Sequence, residues 1–203
     1  MSTAIESVTL EVPDPTAAGA FYAAAFGLDT QLRLRASEAP TTGFRGFTLS
    51  LVVSQPATVD GLIGTALEAG ATPLKPVKKS LWGYGGVVRA PDGTIWKVAT
   101  SSKKDTGSAT RQVDEIVLLL GVDDIAASKR FYVDHGLEVA RSFARKYVEF
   151  EAASAQVKLA LYGRRALAKD AGVSEDGSGS HRIAIESGAG PFTDPDGFAW
   201  EAA

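Results

Sequence analysis

Residues 91–97, PDGTIWK, return at 195–201 as PDGFAWE, and VPDPTAAGAFYAAAFGLD (12–29) lines up with VDDIAASKRFYVDHGLE (122–138). The longer match sets Val12 on Val122, Asp14 on Asp124, Phe21-Tyr22 on Phe131-Tyr132 and Gly27-Leu28 on Gly136-Leu137. A repeat of this kind constrains the fold more than any single motif, because each copy must be a supersecondary unit of the same type. The two copies also end differently. Lys97 closes the first and Glu201 the second, so one place in the repeat carries opposite charge.

Each copy reads as strand, helix and turn. IESVTLEV and EIVLLLGV are β-branched, apolar runs; an acidic residue at an N-cap position follows, then an apolar-periodic stretch that stops at glycine. Further strands are expected in LDTQLRLR, GFTLSLVVS, LEVARSFA, KYVEFEAA and VKLALYG, and the Asp-Gly of each PDG supplies a tight turn before the Trp-containing closing strand. The first half adds a helical pattern over 59–71. The second has an earlier one, RRALAKDAG (164–172), and runs from HRIAIES to the PDG turn with one helix missing. This predicts an α+β protein of two tandem βαβββ modules, residues 1–102 and 113–203, joined by a polar linker at 103–112. The uncovered sheet in the second half leaves a monomer or a homodimer open.

Composition narrows the class of function. The 203 residues are 45% hydrophobic and 22% charged with a net charge of −3, and show no basic face, which argues against nucleic acid. No apolar run approaches membrane-spanning length and the N-terminus lacks a signal-peptide pattern, so a cytoplasmic location is expected. There is no cysteine and there are two histidines, so a metal site would have to be built from Asp, Glu and His.

The paired FY…GL elements, the WGYGG turn and the PDGxxW closing strands together resemble the glyoxalase, bleomycin-resistance and extradiol-dioxygenase group, the vicinal oxygen chelate superfamily. The resemblance covers nearly the whole chain. It implies curled, mixed or antiparallel sheets around a shared cleft that holds a metal ion or a small ligand. Metal-using members offer ligands from the first and closing strands of each module. Carried onto this chain, those positions fall on Ser7 and Val117 in the first strands and on Lys97 and Glu201 in the closing ones. One carboxylate among four positions is a poor divalent-cation site, so no cofactor is expected and a metal is disfavoured, with Glu201 and His181 its weak candidates.

Alternation along SVTLEV turns Ser7, Thr9 and Glu11 toward the cleft. Candidate ligand-binding residues are therefore Ser7, Thr9, Val117, Leu119, Lys97 and Glu201, with Trp82 and Tyr84 from the glycine-rich turn. Lys97 and Glu201 are expected to form an ion pair across the pocket if the modules pack about a two-fold. Arg164-Arg165 could clamp an anion but read more simply as a solvated helix start, and His135 as a group favoured by a helix C-terminus. Trp96 and Trp200, on the face opposite Lys97 and Glu201, read as core anchors. Three functions stay open: a metal-free protein binding a small molecule in the cleft; a lyase, isomerase or dioxygenase relative using Glu201 as base with His181 or Lys97 assisting; and a scaffold whose cups are filled by side chains, as Val117 and Leu119 hint.

Overall fold

A computed structural model describes residues 5–81, 83–152 and 157–203. The first half runs β1 (Ile5–Val12), α1 (Pro15–Phe26), β2 (Arg33–Ala36), β3 (Thr41–Gly43), β4 (Phe47–Val52), α2 (Pro56–Glu68), β5 (Thr72–Ser80), β6 (Gly83–Arg89) and β7 (Ile95–Thr100). The second runs β8 (Glu115–Val122), α3 (Ile125–Asp134), β9 (Val139–Phe143), β10 (Tyr147–Phe150), β11 (Val157–Gly163), α4 (Arg164–Ala171), β12 (Gly177–Gly179), β13 (Ile183–Ser187), β14 (Phe192–Thr193) and β15 (Ala199–Ala202). The repeated helix starts work as read. Asp14 accepts the amides of Thr16 and Ala17 at 2.9 and 3.0 Å, and Asp124 those of Ala126 and Ala127 at 2.9 and 3.1 Å. Gly27 ends α1 at φ 69°, a conformation that costs glycine nothing.

Strand pairing separates elements that are neighbours in the chain. An eight-stranded sheet has the order β5-β6-β7-β4-β8-β11-β10-β9, and a five-stranded sheet the order β14-β15-β13-β1-β2. The eight-stranded sheet holds two complete βαβββ units, β4-α2-β5-β6-β7 and β8-α3-β9-β10-β11, joined by antiparallel β4 and β8 with Leu49 opposite Leu118. In each unit the first and last strands are parallel. The five-stranded sheet joins two abbreviated units, β1-α1-β2 and β13-β14-β15, through antiparallel β1 and β13 with Val8 opposite Ile185. Each half therefore contributes to both sheets. The full unit comes second in the first half and first in the second half, which is why the closing strands match while the segments between them do not.

One large core unites both sheets and α1, α2 and α3. Val8, Leu10 and Val12 of β1, Leu49 and Leu51 of β4, and Leu118 and Leu120 of β8 are all fully buried in it. Trp96 and Trp200 are the anchors expected, 0% and 2% exposed. Trp96 packs on Tyr22 and Phe26 of α1, and Trp200 on Tyr132 of α3, so each helix bridges from its own unit to a closing strand. The Tyr22 hydroxyl donates to Asp92 of the first PDG turn. In the second half the acceptor is Asp194, two residues earlier; Asp196 of the second PDG instead accepts from Ser128 Oγ at 2.8 Å and the Asp123 amide at 2.7 Å. The first copy has Ala18 and Pro13 at those two places, which remove both donors.

The segment 103–112 is held rather than free. Gln55 accepts the amides of Thr106 and Gly107 and donates to Ser108, while Asp105 accepts the Ala57 amide at the start of α2.

Candidate functional site: two sheet faces

Each sheet has one face on the shared core, and the chemistry lies on the opposite faces. On the five-stranded sheet that face carries Ser7, Thr9 and Glu11 from β1, Arg33 and Arg35 from β2, Glu186 from β13 and Glu201 from β15. Glu186 is central and 9% exposed. It accepts from Ser7 Oγ at 2.8 Å, from Thr9 Oγ1 at 3.0 Å, and from Arg33. Burial pushes its carboxyl up, but the Ser7 and Thr9 hydroxyls and the Arg33 charge outweigh that and hold it below its ordinary range. Arg35 spans the face, donating to Glu11 at 2.8 Å and to both oxygens of Glu201 at 2.8 and 3.1 Å. Those hydrogen bonds, Glu201's first, hold its guanidinium further up than usual.

The reach of Arg35 reports the shape of this face. Glu201 sits in register with Glu186 and Glu186 with Ser7, whereas Arg35 is in register with Glu11. On a flat sheet that is three strand spacings across and four residues along, about 19 Å between backbones, more than the two side chains span. The contact closes because twist and curl bring opposite corners of the face together, which makes it a cup.

The corresponding face of the eight-stranded sheet is occupied by α4. Leu167 and Ala168, each 1% exposed, and Ala171 at 2% pack with Phe44, Val87 and Ile95, and Leu119 and Tyr162 border the cluster. Gly121 lets α4 approach closely, since a Cβ there would lie 3.1 Å from the Arg164 Cα. Arg164 fastens the helix start to the carbonyls of Phe44 and Glu175, at 2.9 and 3.2 Å. Arg165 is exposed. Lys97 fastens the helix end, bonding Asp170 at 2.7 Å. The idea of a filled cup thus has a physical form on this sheet, with a helix rather than side chains of the strands themselves as the filler.

The residues singled out in the sequence are divided between these places. Ser7, Thr9 and Glu201 share the five-stranded face; Lys97, Val117 and Leu119 lie on the eight-stranded one. The expected Lys97–Glu201 pair does not form, because the closing strands β7 and β15 belong to different sheets and each charge has another partner, Asp170 or Arg35. Tyr84 turns toward α2, where its hydroxyl donates to Asp60 at 2.8 Å. Trp82 lies outside the described residues. His181 precedes β13, stacked on Phe198 at 4.0 Å, with Nδ1 2.6 Å from the Arg45 carbonyl and Nε2 3.1 Å from that of Asp196. It stitches the approach to β4 onto the second PDG turn and forms one wall of a cavity of about 200 Å³. His135 caps α3, its Nδ1 2.7 Å from the Phe131 carbonyl. Tyr147 and Glu149 share the α4 side of their sheet and bond each other at 2.8 Å.

The residues missed were Glu186, Arg33, Arg35 and Asp170. Alternation in QLRLRA does put both arginines on one face, but nothing local says that β2 lies two strands from Glu186. The metal positions carried over from the family resemblance do not fit a metal site either. They are split between the two sheets, and Glu201, the one carboxylate among them, is engaged by a guanidinium. Among the described residues, no group of three or more His, Asp or Glu side chains is disposed to hold a metal ion.

No family profile and no curated protein matches this sequence. Solved structures do match. A mutant of glyoxalase I from Zea mays superposes with a TM-score of 0.64 at 15% identity, covering 99% of this chain and 93% of that one. Unmutated glyoxalase I from Zea mays gives 0.61 at 16% identity over 99% and 92%. A putative dioxygenase from Bacillus subtilis gives 0.56 at 13% identity over 91% and 70%. Likeness at such low identity speaks for architecture alone: the chain shares its fold with glyoxalase I and with the putative dioxygenase.

Proposed function

We propose that the protein binds a small polar molecule in the cup of the five-stranded sheet and does so without a metal ion. One observation carries this reading. Two arginines and three glutamates, with Ser7 and Thr9, line a curled face on which Arg33 and Arg35 keep 64% and 44% of their side chains exposed. The Arg35–Glu201 pair, 44% and 39% exposed at its side chains, contributes about 0–1 kcal/mol, so a ligand can exchange with it at low cost. Three carboxylates against two guanidiniums give the face a net charge of −1 with both signs on offer, which suits a ligand that both donates and accepts.

Catalysis through Glu201 is less well supported. Its two suggested assistants lie elsewhere, Lys97 under α4 and His181 between two carbonyls. Glu186, the buried acid on the face, is held in its charged form, which weakens it as a proton acceptor.

The test is a thermal-shift screen of polar metabolites on the full chain, with chelator and with added nickel, zinc, iron or manganese. A hit that raises the melting temperature equally in chelator and is lost in Arg35→Ala agrees with the reading. Stoichiometric metal in the purified protein, or a hit that needs it, would overturn it.

A further inference from the structure

The eight-stranded sheet is not filled to its edge. Beside the C-terminal end of α4 a groove of about 160 Å³ remains, lined by Lys75, Lys78, Lys97 and Asp170 at its rim and by Gly85, Val87 and Ala99 along its floor. Register puts these groups on one face: Lys78 lies opposite Gly85, Gly85 opposite Ala99, and Val87 opposite Lys97. Three ammonium groups meet one carboxylate here, in a chain whose net charge is −3. Two of the three have partners. Lys75 donates to the Lys169 carbonyl at 2.6 Å and Lys97 to Asp170 at 2.7 Å. Lys78 has no hydrogen-bond or ion-pair partner among the described residues, and its side of the groove is open to solvent.

We infer that this groove is a second binding site, separate from the cup of the other sheet, and that it takes a small organic carboxylate. The ligand's carboxylate would bridge Lys78 and Lys97 and its apolar body would lie on Gly85, Val87 and Ala99. Asp170 already shows the chemistry, a carboxylate seated on Lys97. The Lys97–Asp170 pair is 34% and 45% exposed at its side chains, so solvent competes with it and an incoming anion can too. A bare inorganic ion would gain the charge contacts but leave the apolar floor uncovered, and a neutral isostere would gain only the floor. The volume suits a molecule the size of benzoate. The second copy has nothing equivalent, because Glu201 replaces Lys97 in the repeat and would repel the same ligand.

The experiment follows amide shifts of the ¹⁵N-labelled full chain during titration with sodium benzoate, benzamide or inorganic phosphate. Benzoate should shift Gly85, Val87 and Ala99 saturably, and benzamide should bind at least about tenfold more weakly for want of the charge. Lys78→Gln and Lys97→Gln should each weaken benzoate by roughly fivefold or more, and Asp170→Asn should strengthen it by a similar factor by releasing Lys97. Lys78 is exposed, so its variant keeps the fold and carries the test even if loss of the Lys97–Asp170 pair loosens α4. Four results would each overturn the inference: equal binding of benzoate and benzamide, no effect of Lys78→Gln, no saturable shift, or phosphate matching benzoate on the same amides (an adventitious ion only). Benzoate shifts confined to Ser7, Thr9 and Glu186 would likewise refute the groove while leaving the cup as a site.

Discussion

Leu167→Ala tests whether α4 is a docked part of the core or a loosely laid covering. Leu167 is 1% exposed and sits among Phe44, Val87, Ile95, Ala168 and Ala171. Truncating a leucine buried to that degree removes its transfer free energy and leaves a partly unrelaxed cavity, together about 3 kcal/mol. For a chain of this length each kcal/mol lowers the melting temperature by about 2–4 °C, so a fall of about 6–12 °C is expected by calorimetry. The control is Val133→Ala on α3, 45% exposed, which should change stability by less than about 1 kcal/mol. Urea unfolding separates two ways of losing the energy. If α4 undocks alone, amides near Leu167 exchange faster than the core while the global midpoint moves little; if it is integral, both move together. A loss below about 1 kcal/mol, with unchanged exchange around α4, would refute the claim that this helix fills the cup.

Other expectations follow from the repeat and from the charged face. Glu186 has its folded pKa lowered, so its contribution is present above the unfolded carboxylate value of about 4.3 and is lost as pH falls through the folded one; the stability gap between the natural protein and Glu186→Gln should therefore narrow below about pH 5. A gap that widened toward acid would contradict the hydrogen bonds from Ser7 and Thr9. Ser128→Ala removes the hydroxyl that Asp196 accepts, at a site 1% exposed, and should cost about 1–2 kcal/mol in chemical denaturation; the first copy tolerates Ala18 there because Asp92 is turned to Tyr22 instead. Gly43 holds φ +65° with a would-be Cβ 2.2 Å from the Asp176 carbonyl, so Gly43→Ala should cost about 2 kcal/mol or more and disrupt the β3–β12 pairing, seen as lost amide protection at Phe44.

Much of the local structure could be read before any coordinates. Asp14 and Asp124 at helix starts, Gly27 at a helix end, and the buried tryptophans each follow from a few neighbouring residues. RRALAKDAG is also helical as expected, and ends at Gly172 with φ 80°. What alternation supplied was a face: it grouped Ser7 with Thr9 and Glu11. It could not supply a partner for that face. Two further readings illustrate the limit. Tyr84 stands among glycines and looks like a pocket aromatic; it borders the groove beside α4, but its hydroxyl is held by Asp60 of α2, a partner no local pattern names. Residues 103–112 have the composition of a free linker, yet Gln55 binds them from another element.

The sequence by itself determined that the chain is written twice, that each copy is strand, helix and closing strand, and that charge is reversed at Lys97 and Glu201, because these depend on residues a few positions apart. Only the tertiary structure decided which strands lie side by side, since pairing between β4 and β8 or between β1 and β13 joins segments far apart in the chain and leaves no period in it. That pairing sent the two closing strands to different sheets. It gave Lys97 to Asp170 and Glu201 to Arg35, filled one cup with α4, and left the other lined with charge.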